Sequence, residues 1–310
     1  MTIHRIRLRT AATWLVTATT LLALPAAAHA ADLRVAYAGS MGAVMDLYLG
    51  PAFAKKHKVE YQGEGDGAYG LAHLIAARKI QPDVFVSITP GPIEILIKAG
   101  LVKKAYPVAS TAMCIAYSPN SPYAKDFRKA AAGRIPWYTV LEMPGVRFGR
   151  TDPETDPQGQ NIIFAFMLAE KYYHQPDLVK TILGPLENQT QIFTEVSLLA
   201  RLKSGQMAAS SGYLSAARSL HLPYITLPDQ INLSNPSMSR GWYSKVHFTL
   251  NVNGKPKTVG TQPLVFYAAV PASAPDPELG MAFIHFMNSP AGQAMFQKTG
   301  YSQPEGPDLK

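Results

Sequence analysis

Strand-like and helix-like segments alternate along most of this chain, and this alternation narrows the possible folds more than any other feature. Short apolar runs at 33–38, 59–62 and 82–87 are each followed by a turn rich in Gly, Ser or Pro and then by a helical pattern. Such alternation predicts a mostly parallel sheet covered by helices. Ligands of such sheets bind beyond the carboxyl ends of the strands, so we expect the functional residues in the turns that follow them.

The first 30 residues have the composition of a secretory signal peptide. Arg5, Arg7 and Arg9 precede an apolar stretch at 11–24, and residues 28–30 read Ala-His-Ala. We expect cleavage after Ala30 and a periplasmic mature protein. No later run is long and apolar enough to cross a bilayer.

The charge and the metal-ligating residue types exclude several classes of function. Three arginines and no acid leave with the leader, so the formal charge of +8 falls to +5. The lysines are not interleaved with aromatic residues as in nucleic-acid platforms, so we expect no nucleic-acid partner. The only cysteine, Cys114, is interpreted as a core thiol, and the histidines form no pair at metal-ligand spacing. We therefore predict no cofactor and no resident metal.

The length of the mature chain indicates two lobes. The 310 residues less the 30 of the leader leave 280, which is more than one such sheet usually needs. Prolines follow the strand pattern at 112–117, and a hairpin signal with an Asn253-Gly254 turn precedes another strand pattern at 264–270. We predict lobe I at 31–112 and 264–310, and lobe II at 113–263.

A polar loop followed by a helix is the strongest single candidate for a ligand site. Residues 149–173 read GRTDPETDPQGQNIIFAFMLAEKYY, in which a helix is expected to begin near Pro157. The start of a helix leaves unpaired N–H groups, here at Gln158 and its neighbours, and such groups bind anions. Taken alone, the loop is better explained as an ordinary helix cap, and other segments must supply the partners of a ligand site.

Two further turns are candidate anion sites. Ser40 follows the first strand, where its side chain is expected to cap the next helix and to offer a hydroxyl to a ligand. Gly63, Gly65, Gly67 and Gly70 are expected to form a turn whose backbone amides approach a ligand closely, although a surface turn fits the same pattern.

These segments, taken in order, resemble the periplasmic molybdate/tungstate-binding proteins of ABC importers, and most closely the tungstate-binding subgroup. The resemblance rests on LRVAYAGSMG, PDVFVS, GRTDPETDPQGQ with LAEKYY, and PLVFYAAVPASAPDPELGMAFIHFMNSPAGQAMFQKTGY, and it covers almost the whole mature chain. It implies a type II periplasmic binding protein, in which each lobe is a mixed, mostly parallel sheet flanked by helices and crossing strands join the lobes. The implied partner is an importer permease in the inner membrane, and we expect a monomer without enzymatic activity.

The resemblance also implies a set of ligand-binding residues. Ser40 supplies a hydroxyl and an amide, Asp156 and Glu195 supply carboxylates, and the other positions supply further donors; the full set is Ser40, Ala68, Asp156, Gln158, Glu195 and Tyr213. Gln158 contributes its backbone amide and Tyr213 its phenol. Ala68 departs from the family, which has a serine there, so a hydroxyl is lost although the amide could remain.

The two carboxylates discriminate between kinds of anion. Ionised Asp156 and Glu195 would repel a sulfate or phosphate dianion by several kcal/mol in a dry site. Molybdenum(VI) and tungsten(VI) accept further oxygen ligands, and the resemblance implies a roughly octahedral centre to which both carboxylates bind. The predicted ligand is therefore tungstate or molybdate.

Two alternatives stay open from the sequence. The lost hydroxyl at Ala68 would suit a protein of the same fold that binds sulfate, phosphate or a small carboxylate. Residues 38–42 read Ala-Gly-Ser-Met-Gly, which differs from the nucleophile elbow of serine hydrolases only at Ala38, and would make Ser40 a nucleophile. The candidate bases for that reaction, His221, His247 and His285, have no distinguishing surroundings.

Overall fold

The structure of the chain is a computed structural model that describes residues 32–252 and 254–310. Residues 31–310 form one compact unit. The predicted signal peptide and Asn253 of the predicted hairpin turn lie outside the described residues. Among the helices of the described ranges, none has the length and apolar character needed to span a membrane.

The secondary structure alternates as the sequence predicts. The strands are β1 Asp32–Ala38, β2 Glu60–Asp66, β3 Val84–Ile88, β4 Ala105–Ser110, β5 Met113–Tyr117, β6 Phe148–Gly149, β7 Ala209–Tyr213, β8 Tyr224–Thr226, β9 His247–Val252, β10 Lys255–Gly260 and β11 Val265–Ala269. The α-helices are α1 Gly42–Val44, α2 Gly50–His57, α3 Ala68–Ala76, α4 Pro90–Lys98, α5 Ala124–Ala131, α6 Trp137–Leu141, α7 Pro157–Tyr173, α8 Glu195–Ser204, α9 Leu214–Ser219, α10 Asp229–Asn232, α11 Pro277–Met287 and α12 Pro290–Lys298. A 3-10 turn at Gly39–Met41 and a π-helical segment at Met45–Leu49 make the chain helical from the end of β1 to His57.

The first sheet has the strand order β2-β1-β3-β11-β4. β1 pairs in parallel with β2 and β3, whereas β11 is antiparallel to both β3 and β4. Four of its five strands therefore point the same way. β3 and β11 are buried along their whole length, as expected for central strands with helices on both faces.

The second sheet has the order β6-β7-β5-β8, in which β5 alone runs opposite to the other three strands. β5 and β11, the reversed strands of the two sheets, are also the strands at which the chain passes between them. The N–H of Thr111, just before β5, donates to the carbonyl of Leu264, just before β11, at 3.1 Å. The two crossings are thus hydrogen-bonded side by side, and the chain is a two-lobed α/β protein.

The glycine-rich stretch is not the single turn that the sequence suggested. Gly63 and Gly65 lie inside the edge strand β2. Two tyrosine rings pack against the strand at these positions, and their hydroxyl groups reach Asp46. The Tyr37 hydroxyl donates to the Asp46 carboxylate at 2.6 Å and the Tyr61 hydroxyl donates at 3.0 Å. A Cβ atom at Gly65 would lie 2.6 Å from the Tyr37 ring, so these glycines provide room for aromatic rings rather than amides for a ligand.

Helix α8 begins at Glu195. Thr194 is its N-cap and accepts a hydrogen bond from the Ser197 N–H at 3.4 Å. The preceding residues make only an isolated bridge between Ile192 and Arg150. Glu195 is therefore the first residue of a helix, not part of an extended segment.

Candidate ligand-binding site

A small cavity lies where the carboxyl end of β2 meets two loops of the other lobe. Its volume is about 260 Å³, and its lining includes Asp66, Gly67, Thr151, Asp152, Thr155, Asp156, Ile192, Phe193, Thr194 and Glu195. Pockets that enclose drug-sized organic molecules are larger than this. The cavity therefore suits a small ion better than a sugar or a peptide.

Asp156 caps the helix that forms one wall of the site. Its carboxylate accepts a hydrogen bond from the Gln158 N–H at 2.9 Å, and Pro157 occupies the first helical position. The preceding loop is packed on the same turn, because a Cβ atom at Gly159 would lie 2.7 Å from the carbonyl carbon of Asp152. The Gln160 side chain also donates to the Pro153 carbonyl at 2.8 Å.

Gln158 joins the two predicted carboxylates. Its backbone N–H binds Asp156, and its side-chain Nε2 donates to Glu195 Oε2 at 2.6 Å. We expected the Gln158 N–H to be unpaired, and this was wrong because the capping aspartate accepts it. The Gln158 Oε1 atom is buried without a hydrogen-bond partner.

Burial raises the pKa of both carboxyl groups. The pKa of Asp156 rises to about 7, chiefly by desolvation, against the hydrogen bond from the Gln158 N–H that lowers it. The pKa of Glu195 rises to about 8, by desolvation and then by the charge of Asp156. Two ionised carboxylates in this site thus carry an unfavourable free energy that a positively charged centre bound to their oxygens would relieve.

Tyr213 lies near the two carboxylates, and its phenol is held in a defined orientation. It is the last residue of β7, it is fully buried, and its oxygen accepts a hydrogen bond from Asn161 Nδ2 at 3.0 Å. Desolvation and then the charge of Asp156 raise its pKa well above the usual value. The phenol is therefore protonated, and the bond from Asn161 leaves its O–H free to donate elsewhere.

Ser40 and Ala68 lie in the other lobe, and neither is among the cavity-lining residues named above. Ser40 lies in the 3-10 turn after β1, where its buried hydroxyl caps nothing and has no hydrogen-bond partner, unlike the capping role expected for it. This turn touches Glu195, since a Cβ atom at Gly39 would be 3.2 Å from the Cβ of Glu195. Ala68 is the first residue of α3, so its N–H has no acceptor within the helix.

The two lobes contact each other at the cavity. The carbonyl of Thr155, in the loop before α7, accepts hydrogen bonds from the N–H groups of Tyr69 and Gly70 at 3.0 and 3.1 Å. The backbones are close enough that a Cβ atom at Gly67 would lie 2.8 Å from the same carbonyl oxygen. Helices α3, α7 and α8 all begin at this junction, and the N-terminus of each helix favours a nearby negative charge.

Sequence reasoning missed three contributors to the site. The side chain of Gln158 and that of Asn161 are three residues apart on one face of α7, a spacing that could have suggested them. The Thr155 carbonyl has no sequence signal, because any residue type supplies one.

The surroundings of Ser40 offer no partner for nucleophilic chemistry. Its hydroxyl is buried, whereas His221, His247 and His285 are all exposed. Within the described ranges, no group of three or more His, Cys, Asp or Glu side chains is arranged to hold a metal ion. A larger open groove of about 920 Å³ lies at the far end of α7, beside residues such as His174 and Leu186, and the six predicted ligand residues are not among those lining it.

The sequence is similar to those of known solute-binding proteins. An uncharacterized solute-binding protein of Petrotoga mobilis is 31% identical over 209 residues, which are 65% of this chain and 63% of that protein. The molybdate/tungstate-binding protein WtpA of Thermococcus kodakarensis is 28% identical over 269 residues, 80% of this chain and 74% of that protein.

A solved structure shows the same fold. The periplasmic molybdate-binding protein of Azotobacter vinelandii superposes with a TM-score of 0.61 at 15% identity, covering 89% of this chain and 100% of that one. This likeness concerns the fold alone, and it confirms the predicted two-lobed α/β architecture. Residues 33–302 match the family described as bacterial extracellular solute-binding proteins, and the chain belongs to that family.

Proposed function

We propose that this protein binds tungstate or molybdate between its two lobes and delivers the oxyanion to an ABC importer. The observation that carries the proposal is the pair of carboxylates, the partly buried Asp156 and the buried Glu195, which Gln158 joins at the wall of a cavity sized for a small ion. The sequence similarity to the molybdate/tungstate-binding protein WtpA of Thermococcus kodakarensis supports the same ligand class.

The chemistry of the carboxylates favours a metal oxyanion over a sulfate or phosphate. A buried carboxylate repels an anion that can only accept hydrogen bonds. Molybdenum(VI) and tungsten(VI) are hard centres that take additional oxygen ligands. In the proposed complex, Asp156 and Glu195 each bind the metal centre directly and expand its coordination toward an octahedron.

The remaining donors would hold the oxo groups. The Ser40 hydroxyl and the Ala68 amide donate from lobe I, and the second N–H of the Gln158 side-chain amide and the Tyr213 phenol donate from lobe II. The alanine at position 68 leaves one hydroxyl fewer than the resemblance implies, and the N–H at the start of α3 retains a donor there. A ligand held from both sides stabilises the closed arrangement of the lobes.

The lobes are proposed to comprise residues 31–112 with 264–310, and residues 113–263. The five-stranded sheet draws its strands from the first set and the four-stranded sheet from the second. We further propose that the chain is secreted by cleavage after Ala30 and acts as a periplasmic monomer. Its partner would be the permease of the importer in the inner membrane, and it would perform no chemistry on its ligand.

A thermal-shift panel on residues 31–310 tests this function. Tungstate, molybdate, sulfate, phosphate and small carboxylates are compared at equal concentration. A ligand at a thousandfold excess over its Kd stabilises the folded protein by about 4 kcal/mol. We expect large shifts with tungstate and molybdate and none with sulfate. A shift with only sulfate, phosphate or a carboxylate would leave the fold assignment unchanged but would show that the ligand is a different anion.

A further inference from the structure

Tyr301 lies next to the candidate site although it is 261 residues from Ser40 in the sequence. It follows α12, and its ring is buried between Phe266 and Phe296, each with a centroid distance of 5.3 Å. Its hydroxyl donates to the backbone carbonyl of Ser40 at 3.4 Å. Among the described residues, the Tyr301 phenol is the only side chain that forms a hydrogen bond with the turn that contains Ser40.

The segment around Tyr301 is fixed to the crossing between the lobes. Ser302 and Ser110 exchange backbone hydrogen bonds at 3.0 and 3.1 Å, and Ser110 directly precedes Thr111 of the crossing. The Tyr301 N–H donates to the Phe296 carbonyl at 3.0 Å. Backbone hydrogen bonds at Tyr301 and at Ser302 thus fix where the Tyr301 ring lies.

The second lobe also reaches this phenol. The Ser215 hydroxyl lies beside it and lowers its pKa, whereas burial, the larger effect, and the charge of Glu195 raise the pKa. The neighbouring Gly300 packs against the side chain of Arg218 on α9, where a Cβ atom would lie 2.7 Å from the Arg218 Cδ. Tyr301 therefore stands where Ser40, Glu195 and α9 meet.

We propose that Tyr301 is a positioning residue of the oxyanion site. Its phenol O–H holds the Ser40 turn so that the buried Ser40 hydroxyl faces Glu195 and the ligand. This inference rests on the proposed function, because it concerns the affinity of the same site. It assigns a binding role to the C-terminal segment, which the sequence motifs leave without one.

The replacement Tyr301→Phe tests this role because it keeps the ring and removes only the hydroxyl. A neutral hydrogen bond contributes about 0.5–1.5 kcal/mol, so we expect the Kd for molybdate and tungstate to rise about two- to twelvefold, measured by titration calorimetry. We expect the thermal midpoint of the ligand-free protein to change little, because the aromatic packing is retained.

Tyr243→Phe is the matched control. The Tyr243 hydroxyl is also buried and also donates to a backbone carbonyl, that of Asp229, but it lies away from the cavity. This control is expected to change the thermal midpoint about as little as Tyr301→Phe does and to leave the Kd unchanged. An equal effect of both replacements on the Kd would show that Tyr301 has only a general structural role.

A double-mutant cycle with Ser40→Ala separates positioning from direct contact. If Tyr301 acts through the Ser40 hydroxyl, Tyr301→Phe has no further effect on the Kd once that hydroxyl is absent. An undiminished effect in the Ser40→Ala background would overturn the inference. If the unmodified protein binds the oxyanions but Tyr301→Phe leaves the Kd unchanged, the inference alone fails; if it binds neither oxyanion, the proposed function fails with it.

Discussion

At Asp156 one side chain serves both the fold and the proposed site. Its carboxylate caps α7 through the Gln158 N–H, and it also lines the cavity. Replacement by alanine would remove both roles at once. Replacement by asparagine keeps an equally good helix cap and removes the carboxylate that would bind the metal centre.

We therefore expect Asp156→Asn to weaken tungstate and molybdate binding by at least about 3 kcal/mol, the cost of losing a buried charged partner. The ligand-free protein should be as stable as before or more stable, because a buried charge is removed. Calorimetric titration and thermal unfolding give the two values. Asp276→Asn, which replaces the N-cap of α11, is the control and should strongly change neither the affinity for the oxyanions nor the stability. Unchanged affinity in Asp156→Asn would exclude the carboxylate as a ligand.

The raised carboxyl pKa values predict how stability depends on pH. Asp156 and Glu195 titrate near 7 and 8 in the folded protein, against 3.8 and 4.5 as ordinary values. Between the ordinary and the raised pKa values, the folded state binds more protons than the unfolded chain, so the stability of the folded state falls as the pH rises. The stabilising contribution is fully present below about pH 4 and is lost by about pH 8, in total on the order of a few kcal/mol.

The measurement is denaturant unfolding of the ligand-free protein from pH 5 to pH 8. Other groups titrate over the same range, so the comparison is with the double variant Asp156→Asn, Glu195→Gln. We expect this variant to lose less stability than the unmodified protein as the pH rises. Parallel pH profiles for the two proteins would show that neither carboxyl group has a raised pKa.

At the scale of elements, the packing of the 151–156 loop on α7 determines where the carboxylates lie. Gly159→Ala would place a Cβ atom against the backbone of Thr151 and Asp152, so the loop must move. Gly280→Ala in α11 is a matched control. Its Cβ atom would lie 2.6 Å from the Asp83 carbonyl oxygen, and neither residue belongs to the candidate site. Overpacking of this kind usually costs about 1–3 kcal/mol.

Both glycine replacements should therefore lower the thermal midpoint, but only Gly159→Ala should also weaken oxyanion binding. Thermal unfolding and calorimetric titration of the two variants provide the comparison. An affinity loss of the same size in Gly280→Ala would mean that binding follows overall stability rather than the geometry of this loop.

The elements were predictable where local pattern and tertiary packing agree. β1, β3, α7 and the hairpin β9–β10 follow directly from apolar periodicity and from Pro157. The edge strand β2 was misjudged because its glycines accommodate Tyr37 and Tyr61, a tertiary reason invisible in the local sequence. For the site, the resemblance supplied the six residues, but the Gln158–Glu195 bond and the Tyr301 contact join segments 37 and 261 residues apart. Sequence spacing alone does not predict such pairs.

At the scale of the whole molecule, the proposed function depends on the contact of the two lobes around the ligand. Gly67 meets the Thr155 carbonyl across that contact, and its backbone conformation is open to other residues. Gly67→Ala should therefore weaken binding by about 1–3 kcal/mol, because the added methyl group forces the two lobes apart at this contact.

Small-angle scattering with and without molybdate, together with calorimetric titration, gives the measurement. Gly42→Ala serves as the control, since a Cβ atom at Gly42 would meet nothing within 4 Å. Full affinity and full compaction in Gly67→Ala would contradict a site closed by this contact.

The central claim is that Asp156 and Glu195 bind the metal centre of the oxyanion, and X-ray absorption at the molybdenum edge tests it most directly. For the protein loaded with molybdate, we predict a spectrum of a distorted octahedral centre, with more oxygen neighbours than free molybdate and two of them at longer distance. Asp156→Asn and Glu195→Gln should each shift the spectrum toward that of free molybdate. A tetrahedral spectrum from the unmodified, fully loaded protein would contradict the claim and leave the carboxylates as hydrogen-bonding groups only.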